Sequence, residues 1–300
     1  MCFAIAPASL SLEGMNDMKS ISRRFGATAL TIAALAGCGS DDGSAGRGTV
    51  QVTIWGEEYV ERGIPADVFE DGWSVRFQEF LVMLTGYYLG GDAGGQESEA
   101  ATLFDLVKPG PHPVGTFELS AGAWPEFGYT IGPAASETVG AETASAEQLE
   151  FMLDNGHGLF VAGVASRDGE EKSFAWGFGN TTRYDGCVSE MDGREVAGID
   201  VVNGGKEVVE ITVHGDHFFY DDLASQSAVP RFDAIAAADV DNDGEVSLGE
   251  LSELKLVEIP VGTYGTGSAS QVDDLGAFVR ALTTTVGHFR GEGHCVASGG

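Results

Sequence analysis

Apolar and polar residues alternate one by one in several stretches of this 300-residue chain. The clearest stretches are 49–55, 73–78, 172–178 and 207–214. Alternation at period two places every second side chain on one face, which is typical of a strand buried on one side only. The segment 158–178 adds a hairpin signal, because Asp168-Gly169 separates two such runs. We therefore predict a mainly β fold, an antiparallel sandwich or a barrel-like sheet.

Two longer helical segments accompany the predicted strands. Segment 145–156 begins with a capping box between Ser145 and Gln148, and Gly156 ends it. Segment 270–287 has Ser270 as its cap and an apolar stripe along one side. That stripe consists of Val272, Leu275, Val279, Leu282 and Val286. We interpret both helices as packing elements, the second being a C-terminal helix.

The N-terminal segment has the layout of an export signal. Lys19, Arg23 and Arg24 precede a short apolar run at 27–36, too short for a membrane span. The run leads into Leu-Ala-Gly-Cys at 35–38, which resembles the lipobox of bacterial lipoproteins. The resemblance implies that Cys38 carries lipid and becomes the first mature residue. We interpret 1–38 as a signal peptide starting at Met15 or Met18, and 39–48 as a flexible tether.

The lipobox implies a location and the charge excludes some partners. A lipoprotein is exported and anchored in the bacterial cell envelope through its lipid. Gly39 follows the cysteine in place of a retention aspartate, which by resemblance favours the outer membrane over the inner. The 46 acidic residues against 16 basic ones repel nucleic acid and anionic lipid, so neither is an expected partner. No protein or ligand partner can be named from the sequence.

Cys187 and Cys295 are the two cysteines that remain after the predicted lipid site. In an oxidising compartment two cysteines most simply pair. We predict a disulfide that fixes the C-terminal segment to the β domain.

The segment 239–250 matches the EF-hand calcium loop position by position. Asp239, Asp241, Asp243, Gly244, Glu245, Ser247 and Glu250 stand at positions 1, 3, 5, 6, 7, 9 and 12. The resemblance implies calcium ligation by the three aspartates, by the Glu245 carbonyl, by Ser247 through water and by both oxygens of Glu250. Predicted helices flank the loop: Pro230 opens one at 230–238, and 248–256 forms the other.

A second EF-hand loop does not follow the first, so a single EF-hand at 230–256 is predicted. It is expected to lie between a β-rich domain at 49–229 and a strand and helix segment at 257–300. A lone loop favours a calcium ion that stabilises the fold over one that opens a switch.

Four of the six histidines form the other candidate metal set, for zinc or copper. They are His214, His217, His288 and His294, with Asp216 or Glu292 as an added ligand. His214 and His217 converge only if Gly215 forms a bulge or if Asp216 caps a helical turn. The alternative is a set of hydrogen-bonded histidines in polar loops near the disulfide.

Common catalytic motifs are absent from the sequence, including a nucleophile elbow, a zinc-protease motif and a phosphate-binding loop. We therefore predict a non-enzymatic, calcium-binding lipoprotein of the cell envelope. The alternative function is metal handling or metal-dependent catalysis by the four histidines.

Overall fold

The computed structural model describes residues 46–299, apart from residues 93, 135, 136, 192, 261 and 270. The predicted signal peptide, including Cys38, and most of the predicted tether lie outside the described residues. The described residues belong to one compact unit, within which the predicted segments at 49–229, 230–256 and 257–300 adjoin one another.

Strands predominate in this unit, so the predicted mainly β fold is confirmed. In chain order the strands are β1 (Arg47–Trp55), β2 (Ser74–Gly91), β3 (Gly94–Ser98), β4 (Thr102–Asp105), β5 (His112–Ser120), β6 (Gly122–Trp124), β7 (Glu126–Ile131), β8 (Val139–Gly140), β9 (Leu159–Arg167), β10 (Glu170–Phe178), β11 (Thr182–Met191), β12 (Arg194–Ala197), β13 (Ile199–Val201), β14 (Lys206–Val213), β15 (Glu245–Val246), β16 (Gly287–Phe289) and β17 (His294–Gly299). The helices are α1 (Glu57–Arg62), α2 (Ala146–Asp154), α3 (Asp233–Ala237), α4 (Leu248–Glu253) and α5 (Leu275–Leu282), with 3-10 turns at Asp216–Phe219 and Leu256–Glu258.

The larger sheet follows the order β12-β11-β7-β2-β9-β10-β15, with β17 beside β11 and β3 and β4 beside β2. It curls into a half-barrel. Register shifts interrupt the pairing of β2 with β9 and with β7, and such bulges bend a strand and increase its twist. The predicted hairpin is confirmed: β9 and β10 meet at Asp168 and Gly169, both of which have positive φ.

The main core lies where the larger sheet and the helices meet a smaller sheet. Alternate residues of β1, β10 and β14 are almost fully buried, as their period-two patterns predict. Part of β2 is buried on both faces, because Leu81 and Met83 pack with Met152 of α2 in a second, smaller cluster. The predicted capping box of α2 is present, with Ser145 and Gln148 each bonded to the other's backbone N–H.

The smaller sheet has the order β16-β14-β1-β5, and β1 and β14 run parallel. The predicted antiparallel arrangement is therefore wrong at this pair. Most of the larger sheet lies between these strands in the chain, and so long a connection can return the chain in the same direction. Because they run parallel, β1 and β14 end at the same edge of the sheet, and the residues that follow the two strands emerge at that edge.

The C-terminal segment contains α5, which is shorter than the helix predicted at 270–287. Ser270, the predicted cap, lies outside the described residues. Asp274 caps α5 instead, since its carboxylate accepts a hydrogen bond from the Ala277 N–H at 2.7 Å. In the part of the chain that the structure describes, no helix is long and apolar enough to cross a membrane.

The predicted disulfide between Cys187 and Cys295 is present. It joins β11 to β17, which also pair as antiparallel strands. The C-terminal strand is thus held to the larger sheet both covalently and by hydrogen bonds.

Candidate metal centres

The acidic loop lies between two short helices. α3 ends just before Asp239, and α4 begins directly after Ser247. Pro230 does not open α3 as predicted, because it pairs with Tyr220 in an isolated bridge and the helix starts only after Phe232. Phe232 and Ile235 are buried and fasten this end of the loop to the main core.

The loop backbone curls so that its side chains turn inward. Asn242 and Gly244 both have positive φ, at 59° and 86°, which a glycine adopts without steric cost. Asp241 Oδ1 accepts from the Asp243 N–H at 3.2 Å, and Asp243 Oδ1 accepts from the Glu245 N–H at 2.8 Å. Each of these bonds reinforces the local turn.

Three carboxylates of the loop meet. Ligand oxygens of Asp239, Asp241 and Glu250 lie within 4.8 Å of one another. Asp239 Oδ1 and Glu250 Oε1 are buried, and neither has a hydrogen-bond partner. The other oxygen of Glu250 accepts from both the backbone N–H and the hydroxyl of Ser247, at 2.8 Å each. The predicted ligands Asp243 and Glu245 contribute no carboxylate to this group of described residues.

Lys172 of β10 reaches the same group and was not anticipated from the sequence. Its ammonium donates to Asp239 Oδ2 at 2.6 Å, and that oxygen also accepts from the Gly244 N–H at 3.1 Å. The hydrogen bond from Lys172 is the main cause that lowers the pKa of Asp239, and the same bond raises the pKa of Lys172. Asp239 is therefore ionised at neutral pH and has one oxygen free for a cation.

The larger sheet holds the far side of the loop. β15 pairs parallel with β10, Glu245 opposite Ser173 and Val246 opposite Phe174. The fully buried indole of Trp176 donates to the Val246 carbonyl at 2.8 Å. The sheet thus provides the rigid neighbour that a second calcium loop provides in a paired EF-hand.

Three of the four predicted histidines meet at one edge of the smaller sheet. Ring nitrogens of His214, His217 and His288 lie within 4.8 Å of one another. His214 follows β14, and the 3-10 turn at Asp216–Phe219 brings His217 back beside it. The ring centroids of His214 and His217 are 5.2 Å apart. Of the two alternatives that the sequence left open, a helical turn is observed, but Gly215 stands at its cap position and Asp216 is its first residue.

Gly215 makes this turn possible. A Cβ at this position would stand 2.8 Å from the ring of Phe77 and 2.9 Å from Val60, too close for any side chain. The turn can therefore press against the core only because residue 215 is a glycine. As a result His214 and His217 are only 7% and 8% exposed.

The imidazoles of His217 and His288 are uncharged at neutral pH. Burial is the main cause that lowers the pKa of His217 to about 3, and the neighbouring His288 and His214 contribute to the same shift. Burial likewise lowers the pKa of His288 to about 4, with His214 as the next cause. A neutral imidazole has a free lone pair, and this is the form that binds metals.

Carboxylates surround the histidines. Oxygens of Glu57 and Glu292 lie within 4.8 Å of His214, and Glu57 Oε2 is 3.6 Å from its Nε2. Burial raises the pKa of Glu57, and the nearby Glu292 and Asp216 raise it further, while His214 opposes them. Sequence reasoning missed Glu57, which has no motif around it. The predicted ligand Asp216 instead accepts a hydrogen bond from the Tyr220 hydroxyl at 3.0 Å.

His294 stands apart from the other three histidines. It is exposed on β17, beside the disulfide, and is not among the described residues whose ligand atoms converge. The predicted set of four is therefore reduced to a set of three.

Comparisons of the chain with protein-family models, curated proteins and solved structures find no match. The chemistry of the two clusters is thus the basis for assigning a function.

Proposed function

We propose that this chain is a non-enzymatic, calcium-binding lipoprotein of the bacterial cell envelope, in which one calcium ion stabilises the segment 230–256. The observation that carries the proposal is that Asp239 and Glu250, whose carboxylates converge with that of Asp241, each have a buried oxygen without a hydrogen-bond partner, Oδ1 and Oε1. Buried polar atoms without a partner are costly. A hard cation that takes six to eight oxygens satisfies them.

The remaining ligands follow from the EF-hand resemblance. Asp243 and the Glu245 carbonyl lie on the loop between the meeting carboxylates, and water bound near Ser247 completes the shell. In the structure one oxygen of Glu250 accepts hydrogen bonds from Ser247. In the proposed calcium-bound state both of its oxygens bind the ion. No carboxylate outside the loop is needed.

The ion is proposed to act on stability. α3 and α4 have five and six residues, and helices so short do not hold themselves in water. Without a cation the carboxylates of the loop also repel one another. A ligand present at a hundred times its dissociation constant adds about 2.7 kcal/mol to the free energy of unfolding.

The envelope location is supported by residues outside the loop. The signal layout and the lipobox at 35–38 imply export and acylation, and the disulfide is typical of an oxidising compartment. Extracellular calcium modules work with dissociation constants of about 10⁻⁴–10⁻³ M. A site with a dissociation constant of about 10⁻⁴ M is therefore mostly occupied where calcium is near millimolar.

Thermal unfolding with calcium and with chelator tests the proposal. We expect calcium to raise the melting temperature by about 5–10 °C, since about 1 kcal/mol moves a domain of this size by about 2–4 °C. Glu250→Gln should lose most of this increase. Glutamine still accepts from Ser247 and preserves the capping box, so the variant removes ligand charge and not the cap.

Two controls separate binding from folding. Glu253→Gln makes the same chemical change at an exposed position of α4 and should keep the full calcium effect. Ser247→Ala removes the cap of α4 and should cost about 1 kcal/mol with and without calcium, leaving the increase itself in place. An unchanged melting temperature, together with no heat in a calcium titration, would refute the site.

A further inference from the structure

We propose that His214, His217 and His288 form a site for one zinc ion, with Glu57 as the fourth ligand. The site is independent of the acidic loop and of any calcium bound there. It differs from the set predicted from sequence in two ways: His294 is excluded, and Glu57 is added.

The topology of the smaller sheet brings these residues together. β1 and β14 run parallel and end side by side, Trp55 opposite Thr212, so Glu57 and His214 both follow the same edge. β16 runs antiparallel to β14 and starts at this edge, with His288 opposite Thr212. The 3-10 turn then places His217 against both other rings, its centroid 5.0 Å from that of His288.

The hydrogen bonds of His217 fix which of its nitrogens is free. The Thr285 hydroxyl donates its proton to the Leu282 carbonyl at 2.8 Å. Its oxygen can therefore only accept from His217 Nδ1, which lies 3.1 Å away. Nδ1 carries the hydrogen, and the lone pair of the neutral ring is on Nε2. Metal-binding histidines are typically oriented in this way, by a hydrogen bond from the other ring nitrogen.

The other two rings have nitrogens that nothing else uses. His214 Nε2 and His288 Nδ1 are buried and have no hydrogen-bond partner. His214 is more than nine-tenths buried, so water does not take the place of that partner freely. Buried nitrogens left unpaired in one small cluster are costly unless a ligand binds them.

The distances fit zinc. Zinc–nitrogen and zinc–oxygen bonds of about 2.0–2.2 Å in a tetrahedron separate neighbouring ligand atoms by about 3.4 Å. His214 Nε2 and Glu57 Oε2 are already 3.6 Å apart. The three ring nitrogens lie within 4.8 Å of one another, so they need to approach by up to about 1.4 Å through side-chain adjustment. Glu57 groups with His214 and Glu292 and not with the other two rings, so its side chain has to turn toward them to bind the same ion.

The backbone around the cluster is strained in the way that ligand sites often are. Glu57 has a φ of 58° and Arg290 a φ of 52°, conformations that cost a non-glycine residue energy. Two hydrogen bonds hold the strained turn after β16 in place: the Thr212 hydroxyl donates to the Gly291 carbonyl at 3.0 Å and accepts from the Gly291 N–H at 3.1 Å. This turn carries Glu292 and adds negative charge at the mouth of the site.

The donor set favours zinc over harder and softer ions. Three imidazoles and a carboxylate form an N/O set suited to zinc, whereas calcium and magnesium take oxygen alone. Thiolates, which favour softer ions, are not offered here, because Cys187 and Cys295 are bonded to each other.

Isothermal titration with zinc chloride tests the site in the mature protein, with millimolar calcium present to occupy the acidic loop. We expect one zinc per chain. His214→Gln and His288→Gln should each weaken binding by at least about a hundredfold, since outer-shell partners alone are worth about 10–100-fold. Glu57→Gln should weaken it by about tenfold, because an amide oxygen is a poorer zinc ligand than a carboxylate.

His294→Gln is the matched control, since it removes a nearby but exposed imidazole and should leave the affinity unchanged. Equal loss in this variant, or no zinc bound by the wild type, overturns the proposal. Because a buried histidine variant can misfold, crystals of the wild type soaked in zinc give a second measurement. An anomalous peak bonded to the three histidines supports the site, and a peak only elsewhere overturns it.

Discussion

Lys172 brings a fixed positive charge next to the proposed calcium position. In the structure its ammonium neutralises Asp239, and only 13% of the Lys172 side chain is exposed. When calcium binds, a divalent ion and this ammonium stand a few ångströms apart and repel one another. Lys172 therefore stabilises the calcium-free loop and weakens its affinity for the ion.

Lys172→Met separates these two effects. Without calcium we expect the free energy of unfolding to fall by about 1–3 kcal/mol, because Asp239 loses its partner in a buried position. Calcium affinity should rise by about tenfold, since the lost repulsion is about 1–2 kcal/mol in a water-like dielectric. Calorimetric titration and melting in chelator measure the two quantities.

Lys255→Met is the matched control for this experiment. It removes the same charge from an ion pair with Asp274, at 3.2 Å, just after α4. Its calcium affinity should stay within about twofold of the wild type, because this half-exposed ammonium pairs with Asp274 and not with a carboxylate of the loop. Weaker calcium binding in Lys172→Met would show that the lysine orients Asp239 for the ion, contrary to our expectation.

At the scale of single residues, the sequence reveals ligands that are close in the chain. Asp239, Asp241 and Glu250 share one twelve-residue spacing, so their convergence could be inferred from a turn and a glycine. Lys172 comes from a strand that is remote in sequence. Its contact depends on the pairing of β10 with β15, which no local pattern encodes.

Secondary-structure elements show the same contrast between features set by neighbouring residues and features set by residues remote in the chain. The β9–β10 hairpin and the α2 capping box were predictable because each is determined by neighbouring residues. The parallel pairing of β1 with β14 joins strands from the two ends of the predicted segment 49–229. Period-two alternation does not indicate the direction in which a strand runs. Glu57 was missed for this reason, since only the parallel pairing brings it to His214.

The disulfide between β11 and β17 permits a prediction about these elements. Cross-linking residues 108 positions apart contributes about 4–5 kcal/mol on the chain-entropy model. The double variant Cys187→Ser, Cys295→Ser should therefore melt about 10 °C or more below the wild type. Reductant should lower the wild-type melting temperature and leave that of the double variant unchanged. Alkylation of Cys187 and Cys295 in the unreduced mature protein would contradict the disulfide.

At the scale of the whole molecule, negative charge connects the two proposed metal sites. The chain has a formal net charge of −30, and self-repulsion on this scale opposes a compact state. Each cluster contains carboxylates that water does not fully solvate, so dissolved salt screens their mutual repulsion only in part. A bound cation reduces the repulsion that remains. Calcium and zinc are thus expected to stabilise the same folding unit.

The net negative charge of the chain also bears on how the lipid anchor can be tested. An acidic unit of this kind is repelled by anionic lipid, so attachment is proposed to depend on the lipid predicted at Cys38. We expect the full chain, expressed in a bacterium with a lipoprotein pathway, to stay with membranes after a carbonate wash. Cys38→Ala should move to the soluble fraction and incorporate no labelled fatty acid. If Cys38→Ala stayed in the washed membranes, the lipobox interpretation would be wrong, and a different contact would have to hold this acidic protein at the envelope.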